Sequence, residues 1–288
     1  MVLFFEEYLE KQIKPDLIVC QTADTIFSNI LFRLASFHNI QIVAPSPAWL
    51  TGGLEESGFL TTNIFYESNI MFDKYNEYKN RTLTTVEETK AENIVKYICD
   101  FDGNKAFYKI TKKNFGKSPL SPNISNLISY ILSENKKDKY IYFTKSDIFR
   151  KLKANLLRLR RFYQLKNLLS QQDNVIPDKS IFFPLHFQPE QSTLVSGAYY
   201  TNQIALIENI SRSLPLGYTL IVKEHPSGRG TRSLRQYKQI LSFYNVKIVD
   251  LPSKEVVKKA EAVITISGTI AMEALALNKP TIVFGKQF

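Results

Sequence analysis

Between residues 180 and 284, short apolar runs alternate with helix-like spacers, and polar signals sit where the runs end. The runs are 181–185, 218–223, 246–249, 262–266 and 281–284. Strand-length apolar segments separated by helical spacers predict βαβ units and a parallel sheet. Ligands of such sheets sit beyond the carboxyl ends of the strands. Three polar clusters fall at those ends: His186 to Glu190, Lys223 to Pro226, and Ser267-Gly268-Thr269. The segment therefore reads as a Rossmann-like nucleotide-binding domain.

The remainder of the 288 residues leaves room for a second domain. Residues 17–20 and 40–43 read as strands around a helix at 25–37, a second βαβ pattern. Only two clear strands precede residue 60, so this N-terminal part is expected to lack its opening strands. Helices are predicted at 2–13, 64–78, 85–101 and 123–132, and loops at 49–58 and 102–122. The division that follows is a partial N-terminal domain with a helical insertion over 1–170, a linker at 171–179, and a C-terminal domain over 180–288.

A hydrophobic content of 44% predicts a packed core, and no apolar run approaches the roughly 18 to 20 residues that span a bilayer. The acids Glu6, Glu7 and Glu10 after a brief apolar patch do not make a signal peptide. Two cysteines neither form a metal site nor suggest a disulfide framework, so a cytoplasmic location is expected. The formal net charge of +10 points to an anionic partner or simply to a basic surface. Much of it is concentrated in one amphipathic segment, 147–170, with Arg150, Lys151, Lys153, Arg158, Arg160, Arg161 and Lys166. Its apolar residues are Ile148, Phe149, Leu152, Leu156, Leu159, Tyr163 and Leu169. A helix packed by that stripe explains the pattern; peripheral docking on the anionic inner membrane is the sharper alternative. Nucleic acid is not expected, because few aromatics interleave with the bases.

The chemistry concentrates in the three clusters. Ser267-Gly268-Thr269 joins a buried run to a predicted helix, whose first-turn N–H groups attract anions. Gly268 lets a phosphate approach the backbone, and Glu273 lies one turn on, placed for a ribose or base hydroxyl. An ordinary helix cap has the same look. At Lys223-Glu224-His225-Pro226, the proline holds His225 extended at a strand end, where its ring can donate to a phosphate and Lys223 can add charge. Gly228-Arg229-Gly230 reads as a flexible basic loop beside it. His186 and Gln188 alternate in an extended chain and share a side, with Glu190 available to a sugar hydroxyl, unless the whole is a crossover loop. In the first half, Asp24 closes a strand and opens a helix, the address of both a general base and an N-cap.

Taken in order, Phe183-Pro184-Leu185-His186-Phe187-Gln188-Pro189-Glu190, the stretch 194–200, Val222-Lys223-Glu224-His225-Pro226, Ser267-Gly268-Thr269 with Glu273-Ala274-Leu275, and Lys279-Pro280 with Phe284-Gly285 resemble the bacterial capsule polysaccharide biosynthesis family, which includes Kdo transferases. The resemblance covers 180–288 well and 15–55 loosely. It implies a GT-B-like α/β fold of two Rossmann-like domains facing a cleft, and metal-independent transfer of a sugar from a nucleotide-sugar donor, with CMP-Kdo as one such donor, to a glycan or glycolipid acceptor. His225-Pro226 and Ser267-Gly268-Thr269 would bind the nucleotide, with no further cofactor. Against that pattern, the closing helices after residue 288 are expected to be missing. Two alternatives stay open: a sugar-nucleotide epimerase, and a non-catalytic accessory of polysaccharide biosynthesis or export.

Overall fold

Short, doubly buried apolar runs build the larger of two sheets in the computed structural model, which describes residues 2–20, 25–47, 58–61, 69–100, 145–190 and 192–285. Strands β4 (Ser180–Pro184), β5 (Thr219–Lys223), β6 (Val246–Ile248), β7 (Ala262–Thr265) and β8 (Thr281–Val283) lie in the order β6-β5-β4-β7-β8. Every pairing is parallel, with Phe182 facing Ile221 on one side and Val263 on the other. All five strands expected from the apolar runs are present, and the protein is α/β with a parallel main sheet.

Alternate side chains of these strands feed two cores, as the period of two requires. Phe183, Leu220, Val222 and Ile264 enter one core with Leu206, Ile207, Tyr237 and Ile240. Those residues come from helices α6 (Gln203–Ser213) and α7 (Leu234–Leu241). Phe182, Ile221 and Val263 enter the other with Val256, Val257 and Ala274, from α8 (Ser253–Lys259) and α9 (Ile270–Ala276). The helices that cover the sheet thus change face where the chain crosses from β6 to β7.

The long basic helix α5 (Lys145–Ser170) packs differently from the predicted stripe. Leu165 and Leu169 enter the first core, whereas Leu156 and Tyr163 stay exposed. Apolar residues lie on both sides of this helix, so their spacing alone did not identify the packed side. Leu165→Ala is expected to cost about 2–5 kcal/mol, and Leu156→Ala close to nothing, in denaturant unfolding. Equal costs would contradict this packing.

In the first half, α1 (Val2–Glu7) continues into a π turn and ends at Lys14, which adopts a left-handed conformation. β1 (Leu17–Val19) pairs parallel with β2 (Gln41–Pro47) across α2 (Ile26–Phe37). The strand expected over 40–43 does not end there. The strand continues through Pro45-Ser46-Pro47 and pairs antiparallel with β3 (Gly58–Thr61), a strand not foreseen. α3 (Asn69–Tyr78) and α4 (Thr85–Asp100) follow, and the first residues of the predicted helix, 64–68, lie outside the described residues. The Cys99 thiol of α4 donates to the Ala276 carbonyl of α9 at 3.3 Å. The readings at 102–122 and 123–132 lie outside the described residues.

Candidate functional site at the strand-order reversal

Strand β4 sits at the point where the sheet's order reverses, with β5 on one side and β7 on the other. In sheets of this kind, ligands are held at the strand ends beside such a reversal. His186 follows β4 and Ser267 follows β7. They meet there: His186 Nε2 lies 2.7 Å from the Ser267 carbonyl and 3.3 Å from Thr265 Oγ1. A ring nitrogen that close to a carbonyl oxygen carries the proton and donates it. Burial holds the imidazole below its ordinary pKa, opposed by the hydrogen bond to the Ser267 carbonyl and helped by the nearby Arg232 charge. Its Nδ1 is buried without a well-formed hydrogen bond; the Pro184 carbonyl acts on the ring only from outside that geometry.

The backbone around the two histidines is held by a buried polar network. Glu224 is 2% exposed and Arg232 8%. Arg232 Nη1 donates to both Glu224 oxygens at 2.6 and 2.7 Å, and Nη2 donates to the His186 carbonyl at 2.6 Å. The same carboxylate accepts the His225 N–H at 2.7 Å and the Tyr237 hydroxyl at 2.5 Å. Burial, and then the Glu224 charge, raise the Tyr237 pKa and keep that hydroxyl a donor. Gln203 completes the hold on His186, accepting its N–H at 2.7 Å and donating to its carbonyl at 3.1 Å. One ion pair thereby ties the end of β4 to the end of β5. Glu224, Arg232, Tyr237 and Gln203 were missed by sequence reasoning. The only local signal was an acid placed directly after a buried strand.

His225 is extended (φ −62°, ψ 137°), as Pro226 dictates. Its Nδ1 accepts the Ser227 N–H at 3.1 Å, so the neutral ring carries its proton on Nε2. Burial pushes its pKa down to about 4, helped by the His186 ring, Lys223 and Arg232. Lys223 is buried, and burial followed by Arg229 lowers its pKa, while Asp250, Glu224 and Glu273 oppose the shift. Gly268 has φ +97°, a conformation that glycine adopts without penalty, and a Cβ there would meet only His186 Nε2, at 3.9 Å. Thr269 is exposed and makes a long 3.5 Å contact with Glu273.

Other predicted residues are otherwise engaged. The Ser267 side chain is fully buried, its hydroxyl donating to the Ser192 carbonyl at 3.1 Å. The Gln188 amide donates to the Thr201 carbonyl at 2.9 Å, and Glu190 accepts the Ser192 hydroxyl at 2.9 Å. The stretch that begins at Ser192 is thus a strap across the end of β7, where a Cβ on Gly197 would lie 2.3 Å from Ile266 Cγ2. The basic loop expected to be flexible is packed instead. A Cβ on Gly228 would lie 2.2 Å from Glu224 Oε1, one on Gly230 would lie 2.5 Å from the Arg158 carbonyl, and Arg229 pairs with Asp250. Asp24 lies outside the described residues. The cap of α2 is Thr25, which forms a capping box with Ser28.

Because both site histidines have lowered pKa values, the unfolded chain takes up protons first as the solution is acidified. Their contribution to stability is complete above about pH 6.5 and is lost as pH falls toward 4, the value that burial imposes on His225. The urea midpoint is expected to fall across that window, and His225→Gln to flatten the slope. The chain has only 3 histidines, which makes ring NMR titration a direct check.

A doubly wound sheet with polar groups converging where its order reverses is an architecture that holds small ligands at its strand ends. The chain belongs to the capsule polysaccharide biosynthesis protein family, whose model matches residues 123–288. It is similar to the capsule polysaccharide export protein KpsS of Escherichia coli, 35% identical over 92 residues, a stretch that makes up 30% of this chain and 23% of that protein. Among solved structures it is similar to KpsC of Thermosulfurimonas dismutans, a beta Kdo 2,7 transferase, at 21% identity and a TM-score of 0.32, covering 45% of this chain and 41% of that one. It is also similar to the UDP-GlcNAc 2-epimerase of Neisseria meningitidis, at 17% identity and a TM-score of 0.32, covering 98% of this chain and 62% of that one. Among the described residues no helix is long and apolar enough to cross a membrane, and no group of three His, Cys, Asp or Glu side chains is gathered as for a metal.

Proposed function

We propose that the chain takes part in metal-independent transfer of a sugar from a nucleotide sugar to a capsular or other surface glycan, in the cytoplasm. CMP-Kdo is the donor its motifs suggest. Its 180–288 domain would hold the donor, and the 1–170 domain, joined through 171–179, the glycan or glycolipid acceptor. The observation that carries the reading is the meeting of His186 with Ser267 at the reversal of strand order, which leaves Gly268 and Thr269 at the rim of the crevice. In the reaction the bond from the sugar to the donor phosphate breaks, an acceptor oxygen takes its place, and the phosphate gains charge. The His225 Nε2–H and the backbone at Gly268 and Thr269 suit that anion, and the buried Lys223 adds positive potential beneath it. Glu273 is placed for a ribose or base hydroxyl. Asp24 is the proposed base for the acceptor. Ser267, Gln188 and Glu190 support the loops.

The similarity to a protein named for export favours a second reading, a non-catalytic accessory of polysaccharide export. Incubation with CMP-, UDP- and GDP-sugars, with and without a glycan acceptor, separates the outcomes. Nucleotide release that requires the acceptor supports transfer. An isomerised sugar nucleotide without acceptor identifies an epimerase, and no turnover or nucleotide binding leaves the accessory.

A further inference from the structure

Helix α5 has two unlike faces, and the proposed transfer chemistry uses neither. Its inner face buries Leu165 and Leu169 and grips the turn that follows His225. Arg161 Nη1 donates to the Thr231 carbonyl at 2.7 Å and Arg158 Nη2 to the Ser227 carbonyl at 3.3 Å. Its outer face carries Lys153, Leu156, Arg160, Tyr163 and Asn167, spaced at threes and fours so that they share one side of the helix. All five are exposed, Leu156 at 56% and Tyr163 at 53%. Neither Leu156 nor Tyr163 takes part in packing α5 on the core, and both lie between bases on this face. No acid occurs from residue 148 to 172, so bases predominate over acids along this stretch of the sequence.

We propose that this outer face docks on a bilayer surface bearing anionic phospholipid headgroups. Lys153, Arg160 and the adjoining Lys166 meet the headgroup phosphates, and Leu156 and Tyr163 enter the boundary with the acyl chains. The charge complementarity suits any polyanion. An exposed leucine between the bases favours lipid over nucleic acid, which rewards aromatic stacking platforms instead. Because Arg158 and Arg161 fasten the inner face to the 227–231 turn, docking also holds the His225 loop near that surface.

Flotation with phosphatidylcholine vesicles, with and without phosphatidylserine, tests this. The protein is expected to float only with phosphatidylserine present and to be released as salt rises. Arg160→Glu and Leu156→Glu should each lower the bound fraction, the charge reversal by about tenfold or more. Leu216→Glu, at the opposite end of the sheet, should leave it unchanged. Thermal melting of the variants should match wild type, since both side chains are exposed. Nucleotide affinity should also be unaltered, so failure here is separable from failure of the transfer reading. No flotation, equal flotation with neutral vesicles, undiminished flotation of both outer-face variants, or displacement by duplex DNA with DNA bound more tightly would each overturn the proposal.

Discussion

Arg232→Met is expected to cost about 3–5 kcal/mol in unfolding free energy, the range for removing one partner of a buried ion pair. The remaining Glu224 carboxylate would keep the Tyr237 hydroxyl and the His225 N–H but lose its only guanidinium, at 2% exposure. The His186 carbonyl would keep Gln203 alone. Gly228 crowds the carboxylate on one side, where a Cβ would lie 2.2 Å from Glu224 Oε1. Pairing the change with Glu224→Leu removes the stranded charge, so the double variant should cost clearly less than the sum of the single ones. Denaturant titration of the three proteins reads this directly. Additive losses would mean that the two side chains do not act as one unit.

The second large effect is on binding. Gly268→Val is expected to weaken nucleotide affinity by about a hundredfold or more. A β-branched residue at φ +97° is strained, at a cost of roughly 1–3 kcal/mol, and its side chain would occupy the open space through which a phosphate approaches the backbone. His225→Ala should cost about tenfold to a hundredfold, as for a hydrogen bond to a charged group. The two differ in their side effects. Gly268→Val also lowers stability, whereas His225→Ala removes one of the two site histidines whose lowered pKa weakens the fold in acid. A Gly268→Val protein that binds normally would mean that the ligand lies elsewhere.

How far the sequence reached follows from which forces act locally. The strands of the larger sheet are buried on both faces, so each is an uninterrupted apolar run bounded by turns and stands out in one dimension. Strand β3 did not, because it is short and pairs with a segment carrying Pro45 and Pro47, where proline normally argues against a ladder. Helix α5 was visible as a helix but not in its orientation, since leucines occur on both faces and only tertiary contact selects Leu165 over Leu156. His186, His225 and Gly268 were legible as residues at strand ends. Glu224, Arg232 and Tyr237 were not, for their network joins a strand end, a loop and a helix, and no spacing rule encodes it. The same network explains why Gly228 and Gly230, read as freedom, serve close packing. Ser267 was read as a ligand donor, yet its hydroxyl is used to fasten the strap at Ser192.

The central claim is that the crevice between the ends of β4, β5 and β7 receives the anionic part of a nucleotide. Calorimetric titration with CMP, UDP and GDP tests it most directly, run on the wild-type protein, on His225→Ala and on Gly268→Val. The account predicts one-site binding of a nucleotide by wild type, weakened in the first variant and lost in the second. Failure of all three nucleotides to bind, or equal affinity in the three proteins, would contradict it.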